Sequence, residues 1–147
     1  MVRPVTATIV ALRSEEKRLQ TRKSLERSDT RVTEEPENEE SWIVCRQCRQ
    51  RLSRPSESTI VNGAHRHTFA NPSGIVFEIA CYRNVQGCAL AGPASTEFTW
   101  FAGHSWQIII CAGCLTHLGW RFASNQGGQF HGFIVDRIDS LTLPRSA

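Results

Sequence analysis

Two Cys-x-x-Cys pairs constrain this chain more than any other feature. Cys45-Arg46-Gln47-Cys48 and Cys111-Ala112-Gly113-Cys114 are separated by 62 residues. Each pair presents two thiolates to one metal ion, and four thiolates close a tetrahedral zinc shell with no open position. A closed shell is structural, so Zn2+ is expected as a fastening and not as a reagent. The gap far exceeds the roughly 15–20 residues of a compact zinc ribbon. The ion therefore has to join the two ends of a domain.

The rest of the chain is unevenly composed. All twelve Phe, Trp and Tyr, all six cysteines and all five histidines lie after residue 40. The first 40 residues hold 8 of the 17 basic and 9 of the 14 acidic residues. Such a segment buries too little apolar surface to offset chain entropy. Residues 1–40 read as a charged flexible leader, disordered or partly helical around 12–27. The folded unit is expected over 41–140, with a tail over 141–147. A core of about 100 residues is marginal, and a metal staple supports it.

The formal net charge is +3, and all nine basic residues after residue 40 are Arg. Four of these cluster at Arg46, Arg49, Arg51 and Arg54. Such a cluster can meet phosphates, but beside a zinc knuckle it reads more simply as a solvated loop, and no nucleic-acid partner is expected. No apolar run reaches membrane-spanning length, so no membrane is expected either. The apolar stretch 5–12 lacks a cleavage site, and the leader is too acidic for a transit peptide. A cytoplasmic, reducing setting is the default, and it favours metal ligation over disulfides.

Short β-rich runs punctuated by Gly and Pro predict a mainly β, antiparallel domain. The expected strands are 42–44, 68–70, 75–80, 97–101, 105–110, 116–122 and 129–135. Asn71-Pro72-Ser73-Gly74 is a strong turn signal. Residues 53–63 read as loop, 84–87 and Ala91-Gly92-Pro93 as breaks, and 136–143 as a terminal turn or tail.

Trp100 and Trp106 precede the second cysteine pair and Trp120 follows it. Strands joined by a turn at Ala102-Gly103 can place Trp100 and Trp106 on one face. Trp120 and Phe122, two residues apart, point to one side of their strand. Five rings between Trp100 and Phe122, beside a metal anchor, favour a pocket over an ordinary aromatic core. Aromatic walls suit either a cation or a flat apolar ring. Glu97 is the one acidic residue nearby, so a neutral ligand is at least as well served as a cation. Backbone groups over 97–100 are available to orient it. Cys81 and Cys88 are open to buried, redox or catalytic readings. Free cysteines are commonly buried and inert, and that reading is preferred.

Taken together, several motifs resemble one family. They are the two cysteine pairs, Asn71-Pro72-Ser73-Gly74, Gly92-Pro93-Ala94-Ser95-Thr96-Glu97, the run from Trp100 to Trp106, His117-Leu118-Gly119-Trp120-Arg121-Phe122 and Phe130-His131-Gly132-Phe133-Ile134. Over 41–138 the chain resembles the CULT domain, the thalidomide-binding domain of cereblon, and looks most like its single-domain bacterial members. The resemblance implies a β-tent: two antiparallel β-sheets pinned by Zn2+ on Cys45, Cys48, Cys111 and Cys114. It implies a cyclic imide ligand, such as the glutarimide ring of thalidomide, a uracil-like ring or a cyclic imide at a protein C-terminus. Trp100, Trp106 and Trp120 would form the cage, with Phe122 as fourth wall. Backbone groups of Phe98 and Trp100 would bond the imide, and Asn71 and Pro72 would lie over the mouth. The family's human member has His where this chain has Phe98, and a main-chain contact survives that change. There is no room for the Lon-like domain and adaptor-binding helices of full cereblon, so a ligase adaptor is not expected. The implied function is non-enzymatic binding. The alternative is a zinc-pinned cysteine enzyme of the methionine sulfoxide reductase type. Such enzymes carry a Gly-Trp-Pro pocket, whereas Gly119-Trp120 is followed here by Arg121.

Overall fold

The computed structural model describes residues 38–145. The expected leader, apart from 38–40, lies outside the described residues, as do tail residues 146–147. The described strands are β1 (Glu39–Cys45), β2 (Arg51–Ser53), β3 (Arg66–Ala70), β4 (Val76–Tyr82), β5 (Cys88–Ser95), β6 (His104–Cys111), β7 (His117–Ser124), β8 (Gln129–Ile134) and β9 (Ile138–Pro144). They form two antiparallel sheets. The smaller has the order β2-β1-β9 and the larger β3-β4-β8-β7-β6-β5.

The burial of each strand follows from its place. Edge strand β3 alternates exposed and half-buried residues, as expected of a strand with one solvated face. Central strand β8 is buried from Phe130 to Ile134, because both faces of the large sheet are covered. On one face Ile43, Leu52 and Ile138 pack with Tyr82, Ile109, Leu118 and Phe133. On the other, Ile79, Cys81, Trp120, Phe122, Phe130 and Ile134 pack beneath Phe101. The first cluster also contains Cys45 and Cys111, so one cysteine of each pair is part of the core.

Three expectations need correction. Ala91-Gly92-Pro93 does not break the chain but lies inside β5. There the pairing with β6 shifts register between Ala91 and Ser95, and Gly92 has φ 72°. A bulge on an edge strand tolerates both a left-handed Gly and a Pro without N–H. Residues 97–101 are not a strand but a loop, with Phe98 at φ 56°. Residues 138–144, expected as a terminal turn or tail, form β9 on the small sheet, so the fold extends past residue 140.

Gly119 is required where β7 lies closest to β8, its antiparallel neighbour. A Cβ there would overlap the backbone oxygen of Gly132, which cannot swing aside as a side chain can. Gly119→Ala is therefore expected to cost about 3 kcal/mol or more. Thermal melting checks this, and a midpoint lowered by less than a few degrees would contradict it.

Candidate functional site

The two cysteine pairs are built alike. Cys45 N–H donates to Gln50 O and Arg49 N–H to Cys45 O, each at 2.8 Å. Cys111 N–H donates to Thr116 O and Leu115 N–H to Cys111 O, again at 2.8 Å. The residue after each second cysteine turns left-handed, Arg49 at φ 67° and Leu115 at φ 65°. These turns point all four sulfurs inward, and the ligand atoms of Cys45, Cys48, Cys111 and Cys114 lie within 4.8 Å of one another. Cys45 Sγ is 3.6 Å from Cys114 Sγ, and Cys48 Sγ is 3.5 Å from Cys111 Sγ. Tetrahedral zinc with bonds of about 2.3 Å needs sulfurs about 3.8 Å apart, so the donor set fits the ion. The Thr116 hydroxyl, 3.0 Å from Cys114 Sγ, and its backbone N–H draw that thiol down to about 6. The four cysteines are thus positioned to hold a metal ion between the end of β1 and the end of β6.

The arginine cluster is engaged within the chain. Arg46 and Arg49 reach Asp139 on β9 at 3.0 and 3.3 Å. The guanidinium groups of Arg51 and Arg54 lie 4.9 and 4.7 Å from the centre of the Trp42 ring. The exposed ion pairs contribute little energy, but they set β9 against the first knuckle.

A cavity of about 410 Å³ opens on the tryptophan-bearing face of β6 and β7. All seven residues expected at a ligand site line it: Asn71, Pro72, Phe98, Trp100, Trp106, Trp120 and Phe122. Cross-strand pairing makes its inner surface, because Trp106 faces Phe122 and Ile108 faces Trp120 across β6 and β7. Such pairs share one face of the sheet. Trp100 arrives from the loop, not from a strand, and meets Trp120 edge-on at 4.8 Å. Its indole N–H donates to Ala70 O at 3.2 Å, just before the Asn71 turn. The Trp106 indole N–H donates to Glu97 O at 2.7 Å and holds the loop from below. The Asn71 turn is closed by Gly74 N–H to Asn71 O and by Ile75 N–H to Asn71 Oδ1, both 2.9 Å.

The loop is anchored by Phe101, 1% exposed, whose ring lies 4.7 Å from Phe122 and 5.0 Å from Phe130. Phe101→Ala removes that plug. It is expected to cost about 3–5 kcal/mol and to raise amide exchange over the loop. Retained melting temperature and exchange protection would contradict the anchoring role.

Sequence reasoning missed Phe77, Ile108 and His117, which also line the cavity. Phe77 meets Trp120 at 5.2 Å and Trp100 at 6.2 Å. The alternation Ile75, Phe77, Ile79 carried a signal for Phe77, but nothing local said which face met the tryptophans. His117 stands edge-on to Trp120 at 4.9 Å, and its Nε2 lies 3.0 Å from Gly119 O. Burial lowers its pKa and Arg137 adds to the effect, against the opposing hydrogen bond to Gly119 O. Cys81 and Cys88 do not line the cavity. Burial pushes each thiol up to about 12.

No protein-family model matches the chain. Curated proteins do. The chain is 33% identical over 91 residues to protein cereblon of Drosophila erecta, which is 60% of this chain and 16% of that protein. It is 36% identical over 87 residues to protein cereblon of Drosophila virilis, covering 57% of this chain and 14% of the relative. The matches support a cereblon-like family. The matched stretch is 13–16% of the length of these relatives, so the cereblon likeness concerns one segment of them. Among the described residues, no helix is long and apolar enough to cross a membrane.

Proposed function

We propose that residues 41–144 form a CULT-type domain that binds small cyclic imides without catalysing a reaction, its sheets pinned by structural zinc. The ligand is a glutarimide or uracil-like ring, free or at the C-terminus of a protein. The observation that carries this reading is an apolar cavity with three tryptophans next to unused backbone polar groups. Among the described residues, no hydrogen bond engages the backbone N–H or C=O of Phe98 or Trp100. A flat imide has two apolar faces for the indoles and a donor–acceptor edge for that backbone. A ring lacking the polar edge would leave these groups unpaired, which gives specificity. Glu97 lines the cavity without an ion-pair partner among the described residues, a feature a cation would use. The neutral imide is preferred because the unpaired backbone offers both a donor and an acceptor.

A cysteine enzyme fits less well. A nucleophilic cysteine needs thiolate character and access, whereas Cys81 is fully buried and the thiols of Cys81 and Cys88 are held protonated. Titration of tryptophan fluorescence with thalidomide tests the proposal. With so few ligand atoms, a Kd on the order of micromolar is expected. No response up to millimolar ligand would overturn it.

A further inference from the structure

Phe98 carries two costs that nothing among the described residues offsets. Its φ of 56° lies in the left-handed region, where a bulky side chain is rare because Cβ crowds the backbone. Asn or Gly takes that conformation more readily. Its side chain is also 73% exposed, and it has no ring partner among the described residues. A residue that lines a cavity and is nevertheless mostly exposed stands at the rim. Strain of this kind collects at functional sites. The other exposed large apolar residues Ile60, Ile75, Val76, Leu90 and Leu115 do not line the cavity, so Phe98 alone among them borders it.

We infer that Phe98 is a specificity-determining platform for the group attached to the ring held by the tryptophans. The inference rests on the imide reading of the cage. The ring occupies the tryptophan-lined interior, and its substituent leaves over the face of Phe98. Offset or edge-on contact with that face favours an aromatic or large apolar substituent over none by about three- to tenfold. In a free ligand this is an aryl group on the imide. In a protein ligand it is the side chain preceding a C-terminal cyclic imide.

Calorimetric titration with four probes tests this: bare glutarimide, thalidomide, and two short peptides ending in a cyclic imide preceded by Phe or by Gly. The native chain is expected to prefer thalidomide to glutarimide, the Phe peptide to the Gly peptide, or both, by about three- to tenfold; the pair that shows the preference identifies the source of the substituent. In Phe98→Asn each ratio is expected to fall to about one, whatever the absolute affinities. Phe98→Tyr should keep the preference, and Phe98→Asn should melt no lower than the native chain. Ratios near one in the native chain, or unchanged in Phe98→Asn, overturn the platform while leaving the imide site standing. Failure of all four probes to bind the native chain overturns the imide reading itself.

Discussion

Trp106→Ala is expected to abolish measurable thalidomide binding, weakening it by more than about 30-fold, while the domain stays folded. Trp106 sits on β6 opposite Phe122, where it is both a wall of the cavity and the tether of the loop through its 2.7 Å bond to Glu97 O. Truncating such an aromatic anchor typically costs 2 kcal/mol or more of binding, roughly a 30-fold loss. The fold pays less, since Trp106 is only half-buried and lies outside the main buried set. Trp106→Phe separates the two roles, because it keeps much of the wall and loses the tether. Calorimetric titration and thermal melting of both variants check this. Native-like affinity in Trp106→Ala would remove the cage from the proposal.

Removing the metal is expected to unfold the described domain. In zinc-finger peptides structural zinc contributes about 10–16 kcal/mol, comparable to the roughly 5–15 kcal/mol that holds a whole domain. Here the four sulfurs draw the end of β1 to the end of β6, and Cys45 and Cys111 are themselves fully buried between the sheets. Without the ion, those thiolates become thiols in an apolar layer and the link between the sheets is lost. The purified protein should carry one zinc per chain. Chelation, or Cys111→Ser, should abolish the β-sheet circular dichroism and the cooperative melt. Because the ligating thiols must be deprotonated, acidification should release the metal and destabilise the fold in parallel. A metal-free protein that melts at the native temperature would show that the cysteine cluster is not a staple.

Local chemistry was legible along the chain. A Cys-x-x-Cys turn needs only its own few residues to aim two sulfurs, so both halves of the four-cysteine cluster could be read from spacing. Trp120 and Phe122 share a face because strand alternation requires it, and Asn71-Pro72-Ser73-Gly74 turns because Pro presets φ and Gly accepts φ 83°. These are short-range constraints. The positions that depended on distant partners were not legible. Phe98, Thr99, Trp100 and Phe101 have strand-forming side chains, yet Phe101 gains more by plugging the face above Phe122 and Phe130 than a strand would supply. Gly92 and Pro93 look like a break until β6 is there to pair on one side of a bulged edge. The segment Ile138–Pro144 looks like a tail until β1 offers an open edge and Asp139 meets Arg46. The ligands and the rings were therefore set by the order of residues, whereas their closure into one cavity, with Phe77 and His117 in its wall and Phe98 at its rim, was decided by long-range strand pairing and packing across the sheet.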